Sequence, residues 1–241
     1  MSLVDAYARD GWVRCDGLLA HLPLSAWCDE VEGWTEGERP HWVYREDSLT
    51  APGKRIVSRI ERFVPEHAAL HHLITSGPLP EAAARLLGEP VVLFKDKINL
   101  KLPGAGPFKA HQDVQAGWTR YAQRYITAMV AVDAADEANG CLEIASGRHR
   151  VVSGALFTPL DDDPDTIYTP VPVAPGDVVL FDGLTPHRSA ANLCGPRRRA
   201  LFITYNAASE GDHRATYYAD KRVSYPPDIE RDPQRVYVFR V

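Results

Sequence analysis

From Val91 to Leu102 apolar and polar side chains alternate. Val92, Phe94, Ile98, Leu100 and Leu102 fall on one side, and Lys95, Lys97, Asn99 and Lys101 on the other. A period of two marks an extended strand with two unlike faces. Runs at Tyr125 to Asp133, Cys141 to Ala145, Tyr168 to Val173, Asp177 to Asp182 and Ala200 to Asn206 also read as strands, with Gly, Pro and Asn between them. Val57 to Phe63 alternates too, which sets Arg59 and Glu61 on one face and Ile60 on the other. Elsewhere in the first 90 residues the period is helical. Leu24, Trp27, Cys28, Val31 and Trp34 recur at helical spacing, and Glu66 to Thr75 and Pro80 to Leu87 read as helices. Pro80 suits a first turn and Gly88 the position past an end. Val4 to Gly17 reads as a short helix and turn, 35–55 as a loop, Gln115 to Gln123 as a helical turn, and 207–241 as a polar tail wrapping the core. The pattern predicts a mainly β protein with flanking helices, two packed sheets with the helices outside. It is expected to be one domain over 1–241, with a helical N-terminal segment over residues 1–90, a β core over about 91–206 and the tail 207–241.

Composition narrows the function classes. The 241 residues are 45% hydrophobic and 24% charged, enough for one sizeable core. A net charge of −5 gives no electrostatic reason to expect nucleic acid. No run of 18 apolar residues suggests a membrane span, and no secretory signal is expected. Cys15, Cys28, Cys141 and Cys194 lack C-x-x-C spacing and are expected as buried thiols. A cytoplasmic enzyme, monomer or homodimer, with a small-molecule substrate fits these constraints.

The candidate chemistry lies at His111-Gln112-Asp113. On an extended segment His111 and Asp113 share a face roughly 7 Å apart along the strand, so an imidazole and a carboxylate could grip one metal ion. His187, in Thr185-Pro186-His187-Arg188-Ser189, would complete a 2-His-1-carboxylate set, which leaves three octahedral positions open. His149 also lies near a turn and is set aside as a ligand.

The surrounding segments carry a resemblance. Phe94-Lys95-Asp96-Lys97-Ile98-Asn99-Leu100-Lys101 leads into His111. Asn139-Gly140-Cys141-Leu142-Glu143-Ile144 and Ser146-Gly147-Arg148-His149-Arg150 follow. Gly176-Asp177-Val178-Val179-Leu180-Phe181 runs up to His187, and His187-x-Ser189-x-x-Asn192 on to Pro196-Arg197-Arg198-Arg199. In this order the chain resembles the phytanoyl-CoA dioxygenase family of Fe(II)/2-oxoglutarate oxygenases. The resemblance implies a double-stranded β-helix, the jelly roll or cupin-like fold. It implies Fe(II) on His111, Asp113 and His187, with 2-oxoglutarate and O₂ as cosubstrates.

The far carboxylate of 2-oxoglutarate needs a forked cation, and Arg198 lies at the family's spacing, eleven residues after His187. Ser189, Asn99, Lys97 and Thr127 are the other expected cosubstrate contacts, while Arg197 and Arg199 are expected to be solvated or paired on the outer face. Hydroxylation of an unactivated C–H bond, with release of succinate and CO₂, is the implied reaction. Asp113 occupies the position that halogenases leave to chloride. Gln112, Trp118, Tyr121, Arg59 and Lys95 are the candidate substrate contacts, with Lys101, Lys109 and Arg120 near them. These cations suggest a small polar or anionic metabolite: an amino-acid derivative, a phosphonate or a decorated natural product. The acidic run Asp161-Asp162-Asp163-Pro164-Asp165 reads as a surface loop that could act as a lid. Two alternatives stay open. One is a cupin-type metalloenzyme that does not use 2-oxoglutarate. The other is a catalytically silent binding protein on the same scaffold.

Overall fold

The computed structural model describes residues 2–150, 152–156, 158–160, 165–193 and 195–237. Its helices are α1 (Leu3–Asp10), α2 (Leu24–Glu32), α3 (Ala68–Thr75), α4 (Pro78–Leu87) and α5 (Arg214–Ser224). Its strands are β1 (Trp12–Cys15), β2 (Trp42–Asp47), β3 (Arg55–Glu61), β4 (Val91–Lys101), β5 (Phe108–His111), β6 (Tyr125–Ala131), β7 (Leu142–Ile144), β8 (Thr169–Val171), β9 (Val178–Asp182), β10 (His187–Ser189) and β11 (Arg198–Ala207). They form a seven-stranded sheet, β1-β9-β6-β11-β4-β3-β2, and a four-stranded sheet, β5-β10-β7-β8. Every pairing is antiparallel. This is the double-stranded β-helix the motifs imply.

Two cores follow from strand alternation. Ile60, Ile98, Leu100, Leu201 and Ile203 point outward and bury against α2, α3 and α4. Met129, Ala131, Val179, Phe181, Ala200 and Phe202 point inward and meet Leu142, Ile144 and Val171 of the small sheet. The polar row of β4 therefore faces the lumen between the sheets. Ile98 is fully buried on the helix side. We expect Ile98→Ala to lower the unfolding free energy by about 2–5 kcal/mol, read from urea titration. A loss below about 1 kcal/mol would mean that the strand faces the other way.

Several expectations need correction. Residues 12–15 are a strand, β1, where a helix and turn were predicted. It pairs with β9 at the sheet edge, with Trp12 opposite Phe181. Residues 42–47 within the predicted loop are also a strand. Trp42, Val43 and Tyr44 are all buried, so no alternation marks them. The tail contains α5, which buries Tyr217, Tyr218 and Lys221. In β4 the alternation is interrupted by a register shift opposite Thr204/Tyr205. That extra residue rotates Phe94 off the face shared by Ile98 and Leu100 and packs it on Trp118, Tyr125 and Tyr217. Cys15, Cys28 and Cys141 are free thiols. Asp161 to Pro164 of the expected lid, and Cys194, lie outside the described residues.

Candidate active site

Antiparallel pairing of β5 and β10 sets His111 directly opposite His187. Their ring centroids lie 4.3 Å apart. Asp113 opens a 3-10 turn (Asp113–Ala116) rather than continuing the strand. Its Oδ1 lies 4.0 Å from His111 Nε2. Ligand atoms of His111, Asp113 and His187 all fall within 4.8 Å of one another, and among the described residues no other His/Cys/Asp/Glu group does so. His111 Nδ1 is 2.7 Å from the Lys109 carbonyl, and His187 Nδ1 is 2.9 Å from the Thr185 carbonyl. A ring that donates through Nδ1 presents its Nε2 lone pair, the form a metal needs. Thr127 donates to Asp113 Oδ2 at 2.9 Å and contacts Thr204 at 3.0 Å, which fixes the carboxylate. Burial, reinforced for His111 by its neighbour His187, lowers both imidazoles below their ordinary range. Burial alone would raise Asp113, yet His187, Lys97 and His111 bring it below the usual carboxylate value. Two neutral imidazoles and one carboxylate, with no other ligand crowding them, fit one divalent ion with open positions.

A second arrangement lies further along the lumen. Arg198 is 2% exposed and pairs in register with Lys101. Lys101 Nζ donates to Ser189 Oγ at 2.7 Å and to the Ala190 carbonyl. Arg198 Nη1 donates to the Gly140 carbonyl, and its Nε has no partner among the described residues. Among the described residues no carboxylate pairs with either cation. Burial lowers Arg198 to about 10, and burial together with Arg198 lowers Lys101 to about 7. The cradle depends on Gly140, whose φ is +74° and whose position would put a Cβ 2.3 Å from the Ala190 oxygen. Arg199 points the other way. It is bound by Asp133, Asp29, Glu32 and Ser25, all on the outer side. It is paired as expected, but it is fully buried rather than solvated. Arg197 is exposed and meets Asp29 at 3.0 Å.

The remaining candidates divide. Lys97 and Asn99 face the lumen between the two sites. Burial and Lys95 lower Lys97 to about 7 against the pull of Asp113, and the Asn99 amide oxygen is buried without a partner among the described residues. Arg59, Lys95 and Trp118 gather beside them. Arg59 also borders a cavity of about 300 Å³ that reaches Tyr44, Phe108, Lys109 and His111. The polar ends of Gln112 and Tyr121 are committed elsewhere. The Gln112 amide donates to the Leu184 carbonyl and accepts from Ser153 N. The Tyr121 hydroxyl donates to Asp220 of α5. His149 lies against Gly11, away from the metal ligands. Sequence reasoning missed Lys221, Tyr44 and Tyr217. The only available signal was the four-residue spacing of Tyr217 and Lys221, which puts them on one helix face.

The profile of the Phytanoyl-CoA dioxygenase (PhyH) family matches residues 7–200. A 2-aminoethylphosphonate dioxygenase from uncultured bacterium HF130_AEPn_1 is 37% identical over 236 residues, covering 92% of this chain and 87% of that protein. A methylphosphonate hydroxylase from Gimesia maris is 36% identical over 233 residues, covering 93% and 87%. Among solved structures, EctD from S. alaskensis with 2-oxoglutarate and 5-hydroxyectoine shares the fold at a TM-score of 0.69 and 21% identity, covering 86% of this chain and 76% of that one.

Proposed function

The chain belongs to the phytanoyl-CoA dioxygenase family, and from that premise we propose that it is an Fe(II)- and 2-oxoglutarate-dependent oxygenase. It hydroxylates a C–H bond of a small anionic metabolite, a phosphonate, as the names of its relatives suggest. The carrying observation is the meeting, in one lumen, of a His-Asp-His ligand set and a buried arginine with no acid partner among the described residues. An oxygenase without a diacid cosubstrate would have no use for that arginine, nor would a silent binding protein need open metal positions.

His111, Asp113 and His187 hold the iron, and Thr127 keeps Asp113 in its rotamer. Arg198 receives the far carboxylate of 2-oxoglutarate, helped by Ser189 and Lys101, while Lys97 and Asn99 line its flank. Bound iron with 2-oxoglutarate supplies the activation of O₂ and the oxidising power released as succinate and CO₂ form. Asp113 and His187 are buried between the two sheets, which limits bulk water there. Residues 1–241 act as one catalytic domain, monomeric or homodimeric, in the cytoplasm. No helix among the described residues is long and apolar enough to cross a membrane.

The test is succinate formation with Fe(II), 2-oxoglutarate and O₂ in the presence of 2-aminoethylphosphonate, methylphosphonate and their carboxylate analogues. A phosphonate should stimulate succinate release in proportion to a product heavier by one oxygen. Metal-dependent substrate loss with succinate at background would instead favour the cupin-type reading. A chlorinated product would contradict the role of Asp113.

A further inference from the structure

We propose that Arg59, Lys95 and Lys221, arranged around Glu61, form the seat of the substrate's phosphonate group, a dianion pocket separate from the cosubstrate's Arg198 and Lys101. The inference rests on the substrate class proposed above and assigns it residues. β3 and β4 pair so that Glu61 lies opposite Lys97 and Arg59 opposite Asn99, all on the lumen face. Arg59 Nε lies 3.2 Å and Lys95 Nζ 3.7 Å from Glu61 Oε1. Lys221 arrives from α5 and meets Glu61 Oε2 at 2.5 Å. None of the four is more than 7% exposed.

Lys95, Lys221 and the Arg59 guanidinium converge on one carboxylate. Buried charge of one sign is costly unless a partner neutralises it. The nearby acids among the described residues are committed elsewhere. Asp96 is taken by Arg214, by Tyr218 and by the backbone N–H groups of Phe63 and Val64. Asp113 belongs to the metal. Burial, with Lys95 and Arg59 adding to it and Glu61 opposing, lowers Lys221 well below an ordinary ammonium. A bound dianion beside these groups would favour their charged forms.

Shape adds to charge. Trp118 is 2% exposed and its Nε1–H has no acceptor among the described residues, while Lys95 Nζ sits 5.5 Å from its ring. A buried donor without an acceptor calls for one. Guanidinium, two ammonium groups and an indole N–H match a three-oxygen tetrahedral anion better than a planar two-oxygen carboxylate. Distance separates the pocket from the cosubstrate's site. Lys95 and Lys101 are six residues apart on β4, roughly 20 Å along the strand, too far for one five-carbon diacid to bridge. Arg59 connects the seat to the cavity that reaches His111, so a carbon attached to the phosphorus can lie toward the metal ligands.

The probes are methylphosphonate and acetate, titrated calorimetrically without O₂ into the protein loaded with Fe(II) and 2-oxoglutarate. Methylphosphonate should bind at least tenfold more tightly than acetate. Lys95→Gln and Lys221→Met should each weaken it tenfold or more and change 2-oxoglutarate binding less than threefold, with melting temperature recorded for each. Should Lys95→Gln not fold, Lys221→Met and the charge-preserving Lys95→Arg carry the test, the latter retaining binding. Equal affinity for acetate, or phosphonate binding unchanged in these neutralised variants, overturns the pocket. Lys95-dependent binding without oxidation keeps the pocket and removes the phosphonate-oxygenase reading. Oxidation with an unchanged KM in the neutralised variants keeps that reading and removes the pocket.

Discussion

Asp113→Ala or His187→Ala abolishes iron-dependent succinate formation, and does so by removing the metal rather than by unfolding the protein. Asp113 supplies the one negative charge of the ligand set, and each imidazole has its other nitrogen directed at a backbone carbonyl. Neither contribution has a substitute nearby among the described residues. Losing a hydrogen-bonding partner of a ligand typically costs about 10–100-fold in affinity or activity; losing a ligand should exceed that. Thr127→Val is the internal reference, because it removes the hydrogen bonds to Asp113 and Thr204 but no ligand atom. Bound iron, measured on the purified variants, and the rise in melting temperature on adding Fe(II) or Mn(II) report occupancy without turnover. His187→Ala with normal iron content and substrate-stimulated succinate would refute the site.

Arg198→Ala and Arg199→Ala, adjacent in sequence, should fail in opposite ways. Arg198 faces the lumen without an acid partner among the described residues. A charge-assisted contact there contributes about 1.5–3 kcal/mol, so the KM for 2-oxoglutarate should rise tenfold or more. The fold should tolerate the change, because an unneutralised buried cation is removed. Arg199 ties α2 to the large sheet through Asp29, Glu32 and Asp133. Its loss strands Glu32 and Asp133, while Asp29 keeps Arg197. Asp29 remains half exposed, so the cost should be roughly 2–3 kcal/mol, below the 3–5 of a fully buried pair. Urea unfolding and 2-oxoglutarate KM, measured for both variants, separate the two roles. A large KM effect at Arg199 with none at Arg198 would shift the strand register by one.

Much of this was legible from sequence because it depends on local periodicity and on residue type. The alternation in β4 announced a lumen row, and His111, Asp113 and His187 are residue types with a definite ligand chemistry. What was not legible depends on distant partners. β1 has only four residues and becomes a strand because β9 offers it an edge. β2 hides in a loop composition because helices cover one face and α5 the other, so no polar face remains to alternate. The register shift near Phe94 is a property of the β4–β11 pair, and neither strand alone reveals it. Gln112, adjacent to both ligands, looked like a substrate contact, yet its amide locks the Leu184 and Ser153 backbones. Lys221 lies in a polar tail where nothing suggests that it turns inward.

That tail has a consequence for how such an enzyme diversifies. The metal ligands and Arg198 lie within the stretch that the family profile covers, whereas α5 lies beyond it. On the proposed assignment Lys221 carries part of the choice of substrate outside that stretch, while Arg59 and Lys95 remain within it. Substitution along one face of this eleven-residue helix would then alter what is oxidised and leave the metal ligands in place. A laboratory library confined to Tyr217, Tyr218 and Lys221 would sample new substrates at little risk to the iron site.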